Sequence, residues 1–468
     1  MKFHVFPPTD QPAPDRAILI FAGWGMDEKP FASLRQEGYR IIAVWDYRET
    51  ALPHPLPELL EGFREIAVIG WSFGVPSASR FLADNPGLPV SARIAVNGTM
   101  HPVDDQRGIP QAIFRGTLEG LSEKTLSKFH LRMCGSAECY RRFSLTLPSR
   151  DIDGLRAELE AVEKAGAAGG TVWDIAVVSD SDRIIPPENQ LRAWSGGEAF
   201  EVTQVPGPHL PDFQAIIRQF ITEKSLVAEK FGRAEETYND NAVVQRQIAE
   251  KLCSIARQDL STDPQTILEI GCGTGLTTRM LTGTFPEASI TAWDLHIPEN
   301  FHSQFAADSV SSLECDAETA VRDLADESID MIFSASTVQW FNSLPEFLRQ
   351  AARVLRPGGT AVISTFGPAT MNQIRSLLPQ ANHYPPAASL RRMIPPSLTL
   401  LHFEEEEHTL RFASPLEALR HVKLTGVNAL SSDSNGARAR EVIRLYPTEA
   451  DGSAALTYNP IYISLKKS

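Results

Sequence analysis

One serine between glycines, one histidine in a proline-rich loop and two glycine-rich turns carry most of the chemistry this sequence can offer. In VIGWSFGVPSA, Val68 to Ala78, an apolar strand-like run leads into Gly70-x-Ser72-x-Gly74 and then into small helix-forming residues. Glycines at these places permit a tight strand-to-helix turn that raises the serine above a sheet, where its hydroxyl can attack a carbonyl carbon. Such a nucleophile needs a base, and the base an orienting acid, in the chain order serine, acid, histidine. VVSDSDRIIPPENQ places Asp182 just after a strand-like run, and VPGPHLPDF places His209 in a Gly/Pro loop ahead of a final helix. Asp180 competes for the acid's role; Asp182 is preferred for its place before the Ile-Ile-Pro turn. An oxyanion hole requires two backbone N–H groups. Phe73, directly after the serine, and Trp24, in FAGWGMD, are the expected donors, and Gly23 and Gly25 would let that backbone approach a substrate closely.

The second turn, TILEIGCGTGLTT, reads as strand, then Gly271-x-Gly273-x-Gly275, then helix. Glycines after the first strand of a doubly wound sheet let a nucleotide-like ligand lie against the backbone. A dinucleotide fold would carry G-x-G-x-x-G; here the spacing is G-x-G-x-G with Glu269 before it. That pattern resembles the first motif of class I S-adenosylmethionine-dependent methyltransferases, whose ligand has no pyrophosphate. The resemblance implies that Glu269, Gly271, Gly273 and Gly275 hold the cofactor. It also implies that Asp294, closing ITAWDLH's strand, accepts both ribose hydroxyls, and that Asp316 and Ala317 in LECDAETA meet the adenine edge.

The elements that must position these groups are α/β in both halves. Apolar runs at 17–23, 40–47, 65–72, 92–99 and 173–182 alternate with helical segments, which predicts a parallel sheet covered on both faces. From about 105 to 170 the pattern turns to amphipathic helix, a helical cap. IIRQFITEKSLVAEKFG reads as a terminal helix running into a junction. The second half restarts with helix NAVVQRQIAEKLCSIARQ, followed by strands TILEIG, SITAWDL, IDMIFSA and TAVISTF and by helices such as LPEFLRQAARVLRPGG. Two domains are expected, 1–228 and 229–468, as suits 468 residues.

Composition narrows the setting. Five cysteines, Cys134, Cys139, Cys253, Cys272 and Cys315, lack CxxC or zinc spacing and predict reduced thiols and no metal. The N-terminal MKFHVFPPTDQPAPD does not suit a signal peptide and no apolar run reaches membrane-span length, so a cytoplasmic protein without membrane insertion is expected. A net charge of −14 disfavours nucleic acid. Within the cap, however, Arg107, Arg115, Lys124, Lys128, Arg132, Arg141 and Arg142 outnumber nearby acids, and such a patch would steer an acidic protein.

LIFAGWGMD, VIGWSFGV and the reduced size of the first domain resemble the α/β-hydrolases, and more narrowly the carboxylesterases that cleave pimeloyl-carrier-protein methyl ester in biotin synthesis. The stretches EETYNDNAVVQRQIAEKL, FSASTVQWFNSLPEFLRQAARVLRPGGTAVISTFGPAT, LRHVKLTGVNAL and LTYNPIYISL resemble the malonyl-carrier-protein O-methyltransferases of the same synthesis. These resemblances imply a bifunctional enzyme. S-adenosylmethionine would methylate the carboxylate of malonyl-acyl-carrier protein, and a Ser72–His209–Asp182 triad would later hydrolyse the methyl ester of pimeloyl-acyl-carrier protein. A cation should hold the malonyl carboxylate; Arg420 and Lys423 are the candidates, with His421 behind them, while Tyr238 and Trp340 would close the pocket. The residues alone leave open a thioesterase or general carboxylesterase paired with a small-molecule methyltransferase, and a non-catalytic carrier-protein-binding scaffold.

Overall fold

The computed structural model describes residues 1–8, 14–49, 56–260, 262–306, 309–377, 382–425 and 436–468. Gly426–Leu430 of the LRHVKLTGVNAL stretch lie outside them. The chain divides into two compact units, Met1–Ile221 and Thr222–Ser468. The division falls seven residues before the expected 228/229 cut, and the expected continuous helix over 216–232 is broken. One helix ends at Phe220, Ile221 is extended, and a new helix runs Lys224–Asn241. The break has a local cause, because the Thr222 N–H donates to Asn342 Oδ1 at 2.7 Å and cannot continue the helical ladder.

The first unit is built on seven strands: β1 (Lys2–Val5), β2 (Arg16–Phe21), β3 (Arg40–Trp45), β4 (Glu65–Trp71), β5 (Val90–Val96), β6 (Trp173–Ser179) and β7 (Ala199–Val205). Their order is β1-β3-β2-β4-β5-β6-β7, with β1 antiparallel and the rest parallel. All seven residues of β4 are buried, as expected of a strand whose two faces are both covered. Because β2 to β7 run the same way, the turns after β2, β4, β5, β6 and β7 emerge at one edge of the sheet. Between β5 and β6 the chain makes four helices, Gln111–Glu119, Glu123–Cys134, Ala137–Phe143 and Ile152–Ala165. The last three start at capping side chains: Ser122 and Thr125 form a reciprocal box, Ser136 accepts from Cys139 N, and Asp151 accepts from Gly154 N at 2.7 Å.

The second unit has β8 (Thr266–Ile270), β9 (Ser289–Asp294), β10 (Val310–Glu314), β11 (Ile329–Ser334), β12 (Leu355–Phe366), β13 (Leu398–Glu405) and β16 (Pro460–Lys467) in the order β10-β9-β8-β11-β12-β16-β13, beside a small antiparallel pair β14 (His408–Phe412) and β15 (Ala454–Tyr458). Strands β10 to β12 are parallel; β16 runs antiparallel between β12 and β13. The helix expected through LPEFLRQAARVLRPGG stops at Val354, and Leu355 already opens β12. Strand β8 is flanked by β9 on one side and β11 on the other, so the chain reverses its direction of winding there, where a ligand crevice opens in such sheets. Each unit has its own buried apolar cluster. Among the described residues no helix is long and apolar enough to cross a membrane, and none of the five cysteines forms a disulfide.

Candidate active sites

Ser72 stands at the end of β4 with φ +56°, a backbone conformation strained for a residue with a side chain. The neighbouring glycines are required by close approach: a Cβ on Gly74 would sit 2.0 Å from the Phe21 carbonyl oxygen, and one on Gly70 2.9 Å from Val75 Cα. Ser72 is 5% exposed and lines a small apolar cavity with Trp24, Phe73, Phe114, Phe129 and Leu159. Arg132 of the second inserted helix also borders it. Among the described residues neither the Trp24 nor the Phe73 backbone N–H finds an acceptor, although both residues are buried. Buried donors are rarely left unpaired, and two on the lining of one cavity with a serine can receive the oxygen of a ligand carbonyl. The Trp24 indole N–H donates to Leu155 O at 3.0 Å and its ring meets Phe129 edge-on, which fixes the turn under the inserted helices.

His209 follows β7 and is 2% exposed. Its Nδ1 lies 2.8 Å from Asp182 Oδ2. The Asp182 carboxylate is held on both oxygens: Oδ1 accepts from Ile184 N (2.8 Å) and Ile185 N (3.0 Å), and Oδ2 also accepts from Gln190 Nε2 (2.9 Å). Asp180 is exposed and accepts instead from Gly207 N (3.1 Å) and Ser181 Oγ (2.8 Å). Three supporting residues escaped sequence reasoning. Trp71 Nε1 and Asn97 Nδ2 each donate to the His209 carbonyl at 2.9 Å, and Gln190 aims an amide at Asp182. Asn-Gly directly after β5 was the available signal for Asn97. A carboxylate fixing one ring nitrogen of a buried imidazole leaves the other nitrogen for proton transfer.

On the cap, Arg107 reaches Asp104 at 3.3 Å and Arg115 lies 3.9 Å from Glu163, whereas Lys128 and Arg132 border a shallow depression together with Arg183 of the β6 turn.

In the second unit Gly271, Gly273 and Gly275 all have positive φ (+81°, +48° and +82°), and Gly275 caps the helix Leu276–Thr284. A Cβ on Gly271 would collide with Thr337, whereas nothing lies within 4 Å of one on Gly273, so the turn presents open backbone there. Asp294 Oδ2 accepts from Gly273 N at 2.8 Å and Oδ1 from His296 N at 3.3 Å. A carboxylate has about four acceptor sites, and with the Leu295 N–H as a third donor it keeps room for a ligand hydroxyl. Burial raises the Asp294 pKa, and the backbone N–H bonds oppose that rise. The turn, Asp294, Asp316 and Ala317 line one cavity with Phe231, Tyr238 and Trp340. Among the described residues Ser336 Oγ and Trp340 Nε1 on its wall are buried without a partner, as expected of a site shaped for a polar ligand.

Other expected residues stand elsewhere. Glu269 lies behind the turn, 1% exposed and outside the cavity lining, beside the Thr278 hydroxyl and with its pKa pushed by burial up to about 8. Gly275 is also outside the lining. Arg420 and Lys423, expected as the cations for the malonyl carboxylate, are exposed on the helix Pro415–Leu424, whose Ala418 and Val422 turn inward, and neither lines this cavity. His421 instead meets the Tyr458 hydroxyl at 3.1 Å. Tyr238 does line the cavity, and burial raises its pKa, so the phenol keeps its proton at neutral pH. The ammonium on the wall belongs to Lys224, which sequence reasoning missed. Among the described residues no group of three or more His, Cys, Asp or Glu could hold a metal ion.

Comparison with known proteins agrees with this division. Residues 10–215 match the family model of the pimeloyl-ACP methyl esterase BioG, and residues 268–363 match that of a methyltransferase domain. A malonyl-[acyl-carrier protein] O-methyltransferase of Bacteroides fragilis is 36% identical over 471 residues, spanning 97% of this chain and 94% of that one. A protein of the same description from Bacteroides helcogenes is 34% identical over 273 residues, 52% of this chain and 98% of that one. The crystal structure of BioG from Haemophilus influenzae, 34% identical, covers 45% of this chain and 94% of that chain with a TM-score of 0.40. The second unit contains a Rossmann-like methyltransferase domain that uses S-adenosylmethionine.

Proposed function

This chain belongs to the malonyl-[acyl-carrier protein] O-methyltransferase family, in a form that joins a BioG-type domain to the methyltransferase, and from that premise we propose that it both masks and unmasks a carboxylate during biotin synthesis. The second unit methylates the free carboxylate of malonyl-acyl-carrier protein. The first, an α/β-hydrolase with a helical cap, hydrolyses the methyl ester of pimeloyl-acyl-carrier protein after chain elongation. The observation that carries the second half of this reading is the buried Asp182–His209 pair, combined with two backbone N–H groups beside the strained Ser72 that find no acceptor among the described residues.

In hydrolysis, His209 Nε2 takes the Ser72 proton as Oγ attacks the ester carbonyl, and the oxygen that becomes negative is received by the N–H groups of Trp24 and Phe73. His209 then returns the proton to the departing methoxide, and the acyl-serine is cleared when water attacks with the same base. Asp182, saturated by four hydrogen bonds, fixes the ring and stabilises the imidazolium. The cations Lys128, Arg132 and Arg183 around the depression on the cap are suited to the acidic surface of a carrier protein.

Methyl transfer asks less of the protein. The malonyl carboxylate is anionic at neutral pH, so no general base is needed, only in-line placement and exclusion of water. Bound S-adenosylmethionine supplies an electrophilic methyl group. The residues suited to hold it are the Gly271–Gly273 backbone, Asp294 for the ribose hydroxyls, and Asp316 with the Ala317 N–H at the purine. The Tyr238 phenol, still protonated, can donate to the carboxylate.

Joining the two activities sets a constraint, since hydrolysis of the fresh malonyl ester would make the cycle futile. Burial of each methylene is worth about 0.8 kcal/mol. The four extra methylenes of pimeloyl, in the apolar cavity beside Ser72, therefore supply roughly 3 kcal/mol, a preference of about a hundredfold.

Mass spectrometry of carrier-protein substrates tests the whole reading. Malonyl-carrier protein should gain a methyl group when S-adenosylmethionine is present, and pimeloyl-carrier protein methyl ester should lose one without it. Ser72→Ala should stop only the second. Release of the acyl chain from its carrier would instead make the first unit a thioesterase, and equal hydrolysis of malonyl and pimeloyl esters would refute the chain-length argument.

A further inference from the structure

Lys224 is the third residue of the second unit and the first of the helix Lys224–Asn241, and it is only 4% exposed. Its ammonium donates to Glu318 Oε2 at 2.6 Å and to the Trp340 carbonyl at 2.9 Å, and stands 3.7 Å from Asp316 Oδ1. Glu318 is itself gripped by the backbone N–H groups of Asn342 and Ser343 at 2.8–3.0 Å. One buried cation thus joins three parts of the cavity wall. These are the helix that carries Phe231 and Tyr238, the Asp316–Glu318 turn after β10, and the loop of Trp340 after β11.

A tether alone does not call for a charge. Burying an ammonium costs several kcal/mol, and a well-packed apolar residue often holds two segments as firmly. The charge has another consequence at this place. Asp316 and Glu318 begin the same short helix, and the ammonium between them offsets the mutual repulsion of two carboxylates. A carboxylate held there is a strong acceptor for an amine N–H and repels a carbonyl oxygen set in the same place.

We propose that Lys224 is a positioning residue for the methyl donor: it holds the Asp316 carboxylate turned to the cavity as an acceptor, so that the site selects a 6-aminopurine over a 6-oxopurine. The inference rests on the cavity being the S-adenosylmethionine site with Asp316 at its purine edge.

Calorimetric titration of the full chain with S-adenosylhomocysteine and with its deaminated analogue, S-inosylhomocysteine, tests it. A site built to bond an amine rejects the analogue strongly, and the wild type should prefer the amino ligand by about a hundredfold or more. Lys224→Met should shrink that ratio by at least about tenfold, while Lys224→Arg, which keeps the charge, should hold it within about threefold. Lys224→Gln takes the place of the methionine variant should the latter fail to fold. Equal weakening of both ligands would make Lys224 a mere tether and overturn the proposal, as would an unchanged ratio. Failure of the wild type to bind S-adenosylhomocysteine at all would refute the donor-site reading itself.

Discussion

Replacing Asp182 by asparagine removes one charge and turns one acceptor oxygen into a donor, in a place where four donors converge. Ile184 N and Ile185 N face Oδ1; Gln190 Nε2 and His209 Nδ1 face Oδ2. An amide turned with its NH2 toward the two backbone groups leaves two buried N–H donors facing a third. Hydrogen bonds to a charged acceptor are worth about 1.5–3 kcal/mol each, so this orientation costs roughly 3–6 kcal/mol. Turned the other way, the NH2 meets Gln190 and His209, and the imidazole can relieve its half of the conflict by moving its proton from Nδ1 to Nε2. That orientation loses only the Gln190 bond, about 1.5–3 kcal/mol, and is the one expected.

The relief has a catalytic consequence. An imidazole protonated on Nε2 cannot accept the Ser72 proton, and the same tautomer trap in serine proteases lowers turnover about ten-thousandfold, equivalent to roughly 5.5 kcal/mol of barrier. Hydrolysis of pimeloyl-carrier protein methyl ester by Asp182→Asn should fall by about that factor, while methyl transfer to malonyl-carrier protein, measured on the same preparation, stays at the wild-type rate. Asp180→Asn is the control. Its carboxylate caps Gly207 N and Ser181 Oγ at the surface, and its loss should change hydrolysis by no more than about threefold, as for other exposed polar contacts. Hydrolysis by Asp182→Asn within tenfold of the wild type, or an equal loss in Asp180→Asn, would refute the assignment.

Three further substitutions probe the remaining geometry. Gly74→Ala places a methyl group 2.0 Å from the Phe21 carbonyl oxygen and should destabilise the first unit by at least about 4 kcal/mol, seen as a lowered first transition in thermal unfolding while the transition of the second unit stays in place. Asp294→Ala removes the carboxylate bound to Gly273 N and should weaken S-adenosylhomocysteine binding by tenfold or more, or about 1.4 kcal/mol; an unchanged dissociation constant in calorimetry would exclude Asp294 from the ribose site. Burial raises the Glu269 pKa to about 8, above the unfolded value of about 4.3, so the proton it holds favours the folded state fully below about pH 4 and that contribution is lost as pH rises through 8. Glu269→Gln should match the wild type near pH 4 and exceed it in stability at pH 9; a difference in urea midpoint that does not grow with pH would contradict this.

How far the sequence reveals each site depends on whether its geometry is local. The nucleophile turn is legible because Gly70, Ser72 and Gly74 act within five residues, and the same spacing fixes the strained φ of Ser72. The choice between Asp180 and Asp182 is not local. Both follow β6, and what turns Asp182 back toward His209 is a pair of backbone N–H groups and the Gln190 amide, which come together only once the helix Pro187–Trp194 has packed. For Arg420 and Lys423 the local pattern and the described cavity point different ways. LRHVKLTG presents cations at close spacing, but Ala418 and Val422 mark the buried side of that helix, and a period of 3.6 then carries 420 and 423 to solvent.

Lys224 shows where sequence reading must fail. Its bonding partners stand 94 and 116 positions away, and its own surroundings, EKSLVAEKF, read as a solvated helix face. Nothing in a helical period separates Lys224, 4% exposed, from Lys230, and no spacing rule links it to Asp316 or Trp340. The link is topological. Strands β9 and β11 flank β8, β10 lies beyond β9, and the parallel run of all four brings the turns after β8, β9, β10 and β11 to one edge. The start of the helix Lys224–Asn241 meets two of these turns, where Glu318 and the Trp340 carbonyl receive its first side chain. A donor site formed in this way draws each contact from a different crossover of the sheet. Residues that only orient other residues are then the least visible in sequence, because their partners are assembled last.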